Sequence, residues 1–352
     1  MDEIRPLTAL RGAFALWVLA FHIALMSGLP HGQPIASYGY LGVEFFFALS
    51  GFILAGAYGG GFAGGLSASL YAKFLNRRVW RLFPLHLAVL GAMILAGAVP
   101  AQTSFYSAAR ELTLTNMWFY NATRINGPDW SISEELLVNL FFPALAILSL
   151  GRGRGRGTVA AMSAIACVAG LVVTARSNDW SLNTIETMPA MTRCFCEFYI
   201  GMVLYRFRGA AGVLSSDGVL IGLAAVLAVL VVARAPDLLM VAAMMCGLVG
   251  LSQNAGSVAK FLSAPPLLWI GHISFSIYLI QVPIIRLAIW AIGAPTGPLS
   301  VAGLFALCTV MTLAVAALTH RQIELRFKRG FASAFRAGSS RPAFSTRESR
   351  HL

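Results

Sequence analysis

The sequence predicts an all-α polytopic membrane protein of about ten transmembrane helices with both termini cytoplasmic. Three observations carry that expectation. Hydrophobic residues make up 58% of the chain, charged residues 11%, and the mean hydropathy is +0.74, whereas soluble domains are roughly a quarter charged. The apolar runs are continuous, about 20 residues each, which selects helices over an alternating barrel pattern. The basic residues fall on alternate connections between the runs.

The spans are read at 7–27, 39–58, 79–99, 130–150, 158–175, 189–206, 217–234, 238–254, 269–292 and 299–320. Pro and Gly mark boundaries at 29–34, 59–65 and 264–266. Residues 66–78 suggest a short interfacial helix leading into the third span, and 100–129 forms the longest outer connection. The amino terminus carries acidic as well as basic residues and no small-residue cleavage site follows the first run, so that run is expected to stay. With the amino terminus inside, inner segments hold Lys73, Arg77, Arg78 and Arg81, then Arg152, Arg154 and Arg156, then Arg206, Arg208 and Lys260. Eight Lys or Arg follow from Arg321 to Arg350. Outer segments hold Arg110, Arg124, Arg176 and Arg234. Residues 1–329 are read as the transmembrane domain and 330–352 as a basic, disordered cytoplasmic tail touching anionic lipid.

The net charge of +12 is thus a topological bias, which argues against nucleic-acid binding. GRGRGRG at 151–157 reads as a flexible inner loop. Cys167, Cys194, Cys196, Cys246 and Cys308 all fall in spans without a zinc-like spacing and read as small apolar filler. No metal site is expected.

Ionisable residues inside the spans are costly and point to function. In the first span Arg11 and His22 are separated by three helical turns plus about 20°, so they share a face roughly 16 Å apart along the axis. Glu44, in GVEFFFALSGF of the second span, is as far from the hairpin tip as His22. Equal depth brings the two within possible reach, where a carboxylate would orient an imidazole. Arg78 and Arg81 (i, i+3) open the third span and suit a forked grip on phosphate or carboxylate; His86 follows on the same helix and is a further candidate for that anion. Trp130, Ser131 and Glu135 begin the fourth span, with Trp130 read as an interfacial anchor and Glu134 as facing the headgroups. Arg193 and Glu197 read as a self-neutralising pair. Ser274, Tyr278 and Gln281 form a polar stripe facing the bundle. His31 and His272 receive no role.

Taken in order, these residues resemble the acyltransferase 3 family of membrane O-acyltransferases, over most of residues 5–290. The marks are a basic residue and a histidine eleven positions apart (Arg11, His22), GVEFFFALSGF, Arg-x-x-Arg with a following Pro (Arg78, Arg81, Pro84), Trp-Ser-x-x-x-Glu (Trp130, Ser131, Glu135) and SFSIYL at 274–279. The chain departs from the family in carrying Gln281 where members often have histidine. Some members also have an extracytoplasmic domain, which here would have to be a separate partner protein.

The resemblance implies a bacterial cytoplasmic-membrane enzyme that moves an acyl group, acetyl first, from cytoplasmic acyl-CoA to a hydroxyl of a carbohydrate or similar acceptor outside or in the membrane. Acyl-CoA is a co-substrate, and no permanently bound cofactor is implied. Arg11, Arg78 and Arg81 would hold the donor phosphates, and His22 with Glu44 would be the base. Trp130, Ser131, Glu135, Tyr278 and Gln281 would support the acceptor side. A proton-coupled transporter using the same His, Glu and Arg residues is the alternative from another class, although no repeated hydropathy of two halves accompanies it.

Overall fold

A helix surrounded by hydrocarbon satisfies its backbone internally, and the computed structural model shows this solution throughout. It describes residues 3–28, 34–118 and 124–327; the tip of the first hairpin with His31, residues 119–123 and the tail at 330–352 lie outside the described residues. Apart from a helical turn at Pro34–Ser37 and a 3-10 segment at Arg208–Ser215, the helices are α1 Arg5–Met26, α2 Leu41–Phe62, α3 Ala68–Leu95, α4 Phe105–Leu112, α5 Asp129–Leu150, α6 Arg156–Arg176, α7 Thr187–Phe207, α8 Asp217–Val232, α9 Asp237–Leu251, α10 Ser257–Leu262, α11 Pro265–Ile292 and α12 Pro298–Phe327. No strand occurs among the described residues. α2 contains a π turn at Ala55–Gly59, and α12 contains another at His320–Glu324.

The protein is a multi-pass membrane protein. Among the described residues seven helices (α1, α2, α3, α5, α6, α11 and α12) are long and apolar enough to span, and an eighth is counted if α7 and α8, bent by 99°, form one broken span. Each of the ten apolar runs of the sequence is helical. The two counts differ because Arg193, Glu197 and Arg206 dilute α7, while α8 and α9 have 16 and 15 residues. Residues 66–78 are not a separate interfacial helix. Ser67 caps the start at Leu70 N, and α3 then runs unbroken for 28 residues, because no Gly or Pro interrupts it before Pro84.

Small residues set how closely the helices meet, as expected where no hydrophobic force drives association. A Cβ on Gly12 or Gly271 would strike the backbone of the opposite helix, so α1 and α11 touch main chain to main chain. Gly51 of α2 abuts the Phe198 carbonyl, and Gly201 of α7 abuts that of Ala48. Gly39 and Gly42 face Trp17, Phe14 and Val18 of α1. Phe62, Phe74, Phe142 and Phe198 then fill the space between α2, α3, α5 and α7, with Phe74 and Phe142 stacked at 4.6 Å.

Gly51→Ala or Gly201→Ala should force α2 and α7 apart and cost about 1–3 kcal/mol. Gly91→Ala, which meets open space, should be neutral or slightly stabilising. Thermal unfolding in detergent checks the contrast: equal melting temperatures for all three variants would contradict it.

Candidate active site

α1 and α11 run parallel and in register. Arg11 donates from Nε and Nη2 to the Gly271 carbonyl at 3.3 and 2.6 Å. Eleven residues further along α1, His22 meets Gln281, ten residues beyond Gly271. One wall therefore carries a guanidinium at one level and an imidazole about three turns away.

The Arg11 level is basic. Arg81 of α3 lies within electrostatic reach of both Arg11 and Arg78, and its guanidinium sits 5.9 Å from the Phe275 ring of α11. Arg78 reaches Glu135 of α5 at 3.8 Å, and Ser50 of α2 donates to the same carboxylate oxygen at 3.1 Å. Buried Nε of Arg78 has no partner among the described residues. Glu324 of the α12 π turn also faces this group, accepting from Ser276 and lying 3.3 Å from His320. The three arginines expected to act together are thus brought together, with two carboxylates the sequence reading had not assigned to them.

At the other level, His22 is half-buried and its Nδ1 lies 3.0 Å from the Val18 carbonyl. A carbonyl oxygen only accepts, so a neutral ring carries its proton on Nδ1 and leaves Nε2 with a lone pair. The buried stripe of α11 follows: Gln281 donates to the Tyr278 carbonyl at 3.1 Å, and Tyr278 Oη lies 2.6 Å from Ser131 Oγ. Both hydroxyls are also 3.2 Å from the Pro128 carbonyl, which staples the start of α5 to α11. Ser274 is buried on the same stripe.

Glu44 does not orient His22. It is fully buried and forms an ion pair with Arg193 of α7, beside Glu197. The hairpin tip does not set the depth: Gly42 abuts Phe14 and Val18, and the Phe45 ring stacks on that of Phe14, so Glu44 lies about two turns of α1 from the level of His22. Azimuth separates the two as well. Gly42 is the residue of α2 that faces α1, and two residues on is about 200° around the helix, toward α7. Arg193 in turn donates to the Thr184 carbonyl and stacks 5.2 Å from Trp130. Trp130 is therefore a buried lid on a cation, not an interfacial anchor, and Glu134 is fully buried near Arg193, not at the headgroups. Arg193 and Glu197 are not a closed pair, since Glu44 takes the guanidinium. The signal was present in the sequence: an Arg in one span and an acid in another at similar depth.

His86 also departs from expectation. Five residues past Arg81 it lies one and a half turns farther along α3, fully buried, with Nδ1 3.1 Å from Asp129 and Nε2 2.8 Å from the Glu111 carbonyl. Asn126 bridges Asp129 (2.9 Å) and the Leu279 carbonyl (3.1 Å), and Glu111 accepts from Ile125 N, Asn126 N and Asn116. Burial, with Asp129 nearby, pushes the Glu111 carboxyl up to about 7. This network fixes the connection that delivers Trp130 and Ser131.

The chain matches a family model described as an acyltransferase domain over residues 5–321. It is 31% identical over 156 residues to acyltransferase MdmB of Streptomyces mycarofaciens, a match covering 40% of this chain and 38% of that protein. It is 31% identical over 160 residues to protein 2 in the picA locus of Rhizobium radiobacter, covering 39% and 78% respectively. No solved structure matches the chain.

Arg193→Ala should leave Glu44 buried without its cation and cost about 3–5 kcal/mol. The double change Glu44→Gln, Arg193→Gln should recover part of that loss, because neither side is left as a lone charge. Unfolding midpoints of the single and double variants provide the check; a double variant no better than Arg193→Ala would refute the pairing.

Proposed function

The chain belongs to the acyltransferase 3 family, and on that premise we propose that it is a membrane O-acyltransferase. It moves an acyl group, acetyl in the first instance, from cytoplasmic acyl-CoA to a hydroxyl of a carbohydrate or similar acceptor that is extracytoplasmic or membrane-associated. On this reading the protein sits in a bacterial cytoplasmic membrane with ten spans, both termini inside, and the basic level of the α1–α11 wall facing the cytoplasm. On the same reading a separate extracytoplasmic protein is the partner that delivers the acceptor.

The observation that carries the reading is the register of that wall: Arg11 and His22 share one face of α1, three turns apart, with Gly271 and Gln281 beside them. Arg11, Arg78 and Arg81 would hold the donor phosphates, and the free Nε of Arg78 supports that role. The thioester then extends along the wall to His22. Nε2 takes the proton of the acceptor hydroxyl as its oxygen attacks the thioester carbonyl. The C–S bond breaks, and the CoA thiolate recovers a proton from the imidazolium, so atoms and charge balance. The Val18 carbonyl fixes the tautomer, Gln281 lies against the ring, and Ser131 and Tyr278 present hydroxyls on the neighbouring turn. Trp130 and Glu135 support the two levels through Arg193 and Arg78. Glu44 acts in this reading by holding Arg193, not by touching the base.

One observation favours proton coupling as a second reading: Glu44, Glu134 and Glu197 crowd around a single Arg193, and neither oxygen of Glu134 has a hydrogen-bond partner among the described residues. Purified protein that binds or slowly hydrolyses acetyl-CoA supports the enzyme. Proton uptake into vesicles without any acetyl-CoA turnover would favour the transporter.

His22→Ala should lower acetyl-CoA turnover by about 10²–10⁴ while CoA affinity and yield stay near those of the parent protein. Near-normal turnover in a folded His22→Ala protein would sink the assignment. Arg78→Lys, Arg81→Lys preserves charge but loses the guanidinium fork. CoA affinity measured by calorimetry should fall markedly, since each charge-assisted hydrogen bond contributes about 1.5–3 kcal/mol. Unchanged affinity would leave the pair as topology residues.

A further inference from the structure

The donor-side cluster contains a carboxylate that the mechanism above does not use. Glu324 lies in the π turn His320–Glu324 near the end of α12. Such turns insert an extra residue, re-aim side chains and recur at functional sites. Here the turn points Glu324 into the bundle, where Ser276 of α11 donates to it and His320 Nδ1 lies 3.3 Å away. α3 closes the other side. Trp80 stacks on Phe327 at 5.7 Å, and Arg81 sits over Phe275, the neighbour of Ser276. Arg11 and Arg81 both interact electrostatically with Glu324.

Glu135, the other carboxylate at this level, already serves Arg78 and Ser50. Glu3 and Glu135 also lie within electrostatic reach of Arg11, but Glu324 acts on Arg11 more strongly than either and reaches Arg81 as well. We infer that Glu324 is an internal counter-ion that competes with the anionic donor for Arg11 and Arg81, and so lowers the protein's affinity for CoA. The inference rests on the proposal that these arginines bind the phosphates of CoA. A polyanion arriving among Arg11, Arg78 and Arg81 meets Glu324 as a like charge whether the carboxylate stays or turns away. Affinity is sacrificed, and the spent CoA is released more readily.

A purely structural role for Glu324, as a tie between α11 and α12 through Ser276, makes the opposite prediction. Removing its charge would then loosen the site and weaken binding or leave it unchanged. The sign of the effect separates the two roles.

The test is calorimetry of CoA binding to the full-length protein in detergent, at low and moderate salt. Glu324→Gln keeps the size of the side chain and removes its charge. It should bind CoA roughly three- to tenfold more tightly at low salt, with a steeper loss of affinity as salt rises. If Glu324→Gln alone does not purify in folded form, Arg81→Gln is compared with the pair Arg81→Gln, Glu324→Gln. The second change should again tighten binding, through Arg11. Wild-type protein that binds CoA while folded Glu324→Gln binds it equally or less tightly overturns this inference and leaves the donor site standing. Wild-type protein that binds no CoA overturns the donor site, and this inference with it.

Discussion

A guanidinium buried among apolar helices must be given a counter-charge and hydrogen bonds, or it will not stay there. Among the described residues Arg193 is the largest fully buried side chain, and its requirements organise one end of the bundle. Glu44 supplies the charge from α2, the Thr184 carbonyl accepts from the connection before α7, and Trp130 covers the guanidinium from α5. Three helices and a connection are thereby fixed relative to one another. The glycines make this possible: Gly51 and Gly201 bring α2 and α7 close enough for the pair to form.

The second level obeys a different constraint. Arg11, Arg78 and Arg81 repel each other, and Glu135 and Glu324 only partly offset them. Both ends keep a buried guanidinium nitrogen without a partner among the described residues, Nε of Arg193 and Nε of Arg78. They differ in the balance of charge. Three carboxylates, Glu44, Glu134 and Glu197, surround the single Arg193, whereas two face three arginines at the Arg78 end, which leaves that end short of anions.

The apolar runs made the helices legible, because continuous hydropathy over about 20 residues has few other outcomes. Depth along a helix was legible too: Arg11 with His22, and the Arg78–Arg81 pair, stand where a rise of about 1.5 Å per residue puts them. What the sequence conceals is azimuth between helices. It conceals register too: His22 and Glu44 are equidistant from the hairpin tip, yet Gly42 packs on Phe14 and Val18, which sets Glu44 about two turns from His22 and facing α7. The same blindness made Trp130 look interfacial and Glu134 exposed, since a residue near a span boundary can be covered by a connection from elsewhere. Residues 113–118, 124–128 and α4 provide that cover through His86, Asp129 and Glu111. Glu324 was hidden for another reason: a π turn breaks the 3.6-residue periodicity by which faces are assigned.

The two levels also differ in how far they can adjust, and that decides where a ligand is accommodated. α1 and α11 touch through Gly12 and Gly271, main chain against main chain, so the wall carrying Arg11, His22 and Gln281 cannot open without losing its packing. Interfaces of this kind have little slack, because close-packed interiors transmit displacement instead of absorbing it. The opposite side is α3 and the end of α12, joined to the wall by Arg81 over Phe275 and the Ser276–Glu324 bond and to each other by Trp80 on Phe327. These are side-chain contacts at helix flanks, and a π turn lies among them. Any widening of the donor level therefore falls on α3 and α12, while His22 keeps its place on the rigid wall. A base must hold its geometry to within fractions of an ångström, whereas a phosphate-binding cluster works with flexible side chains; the protein has put each on the element that suits it.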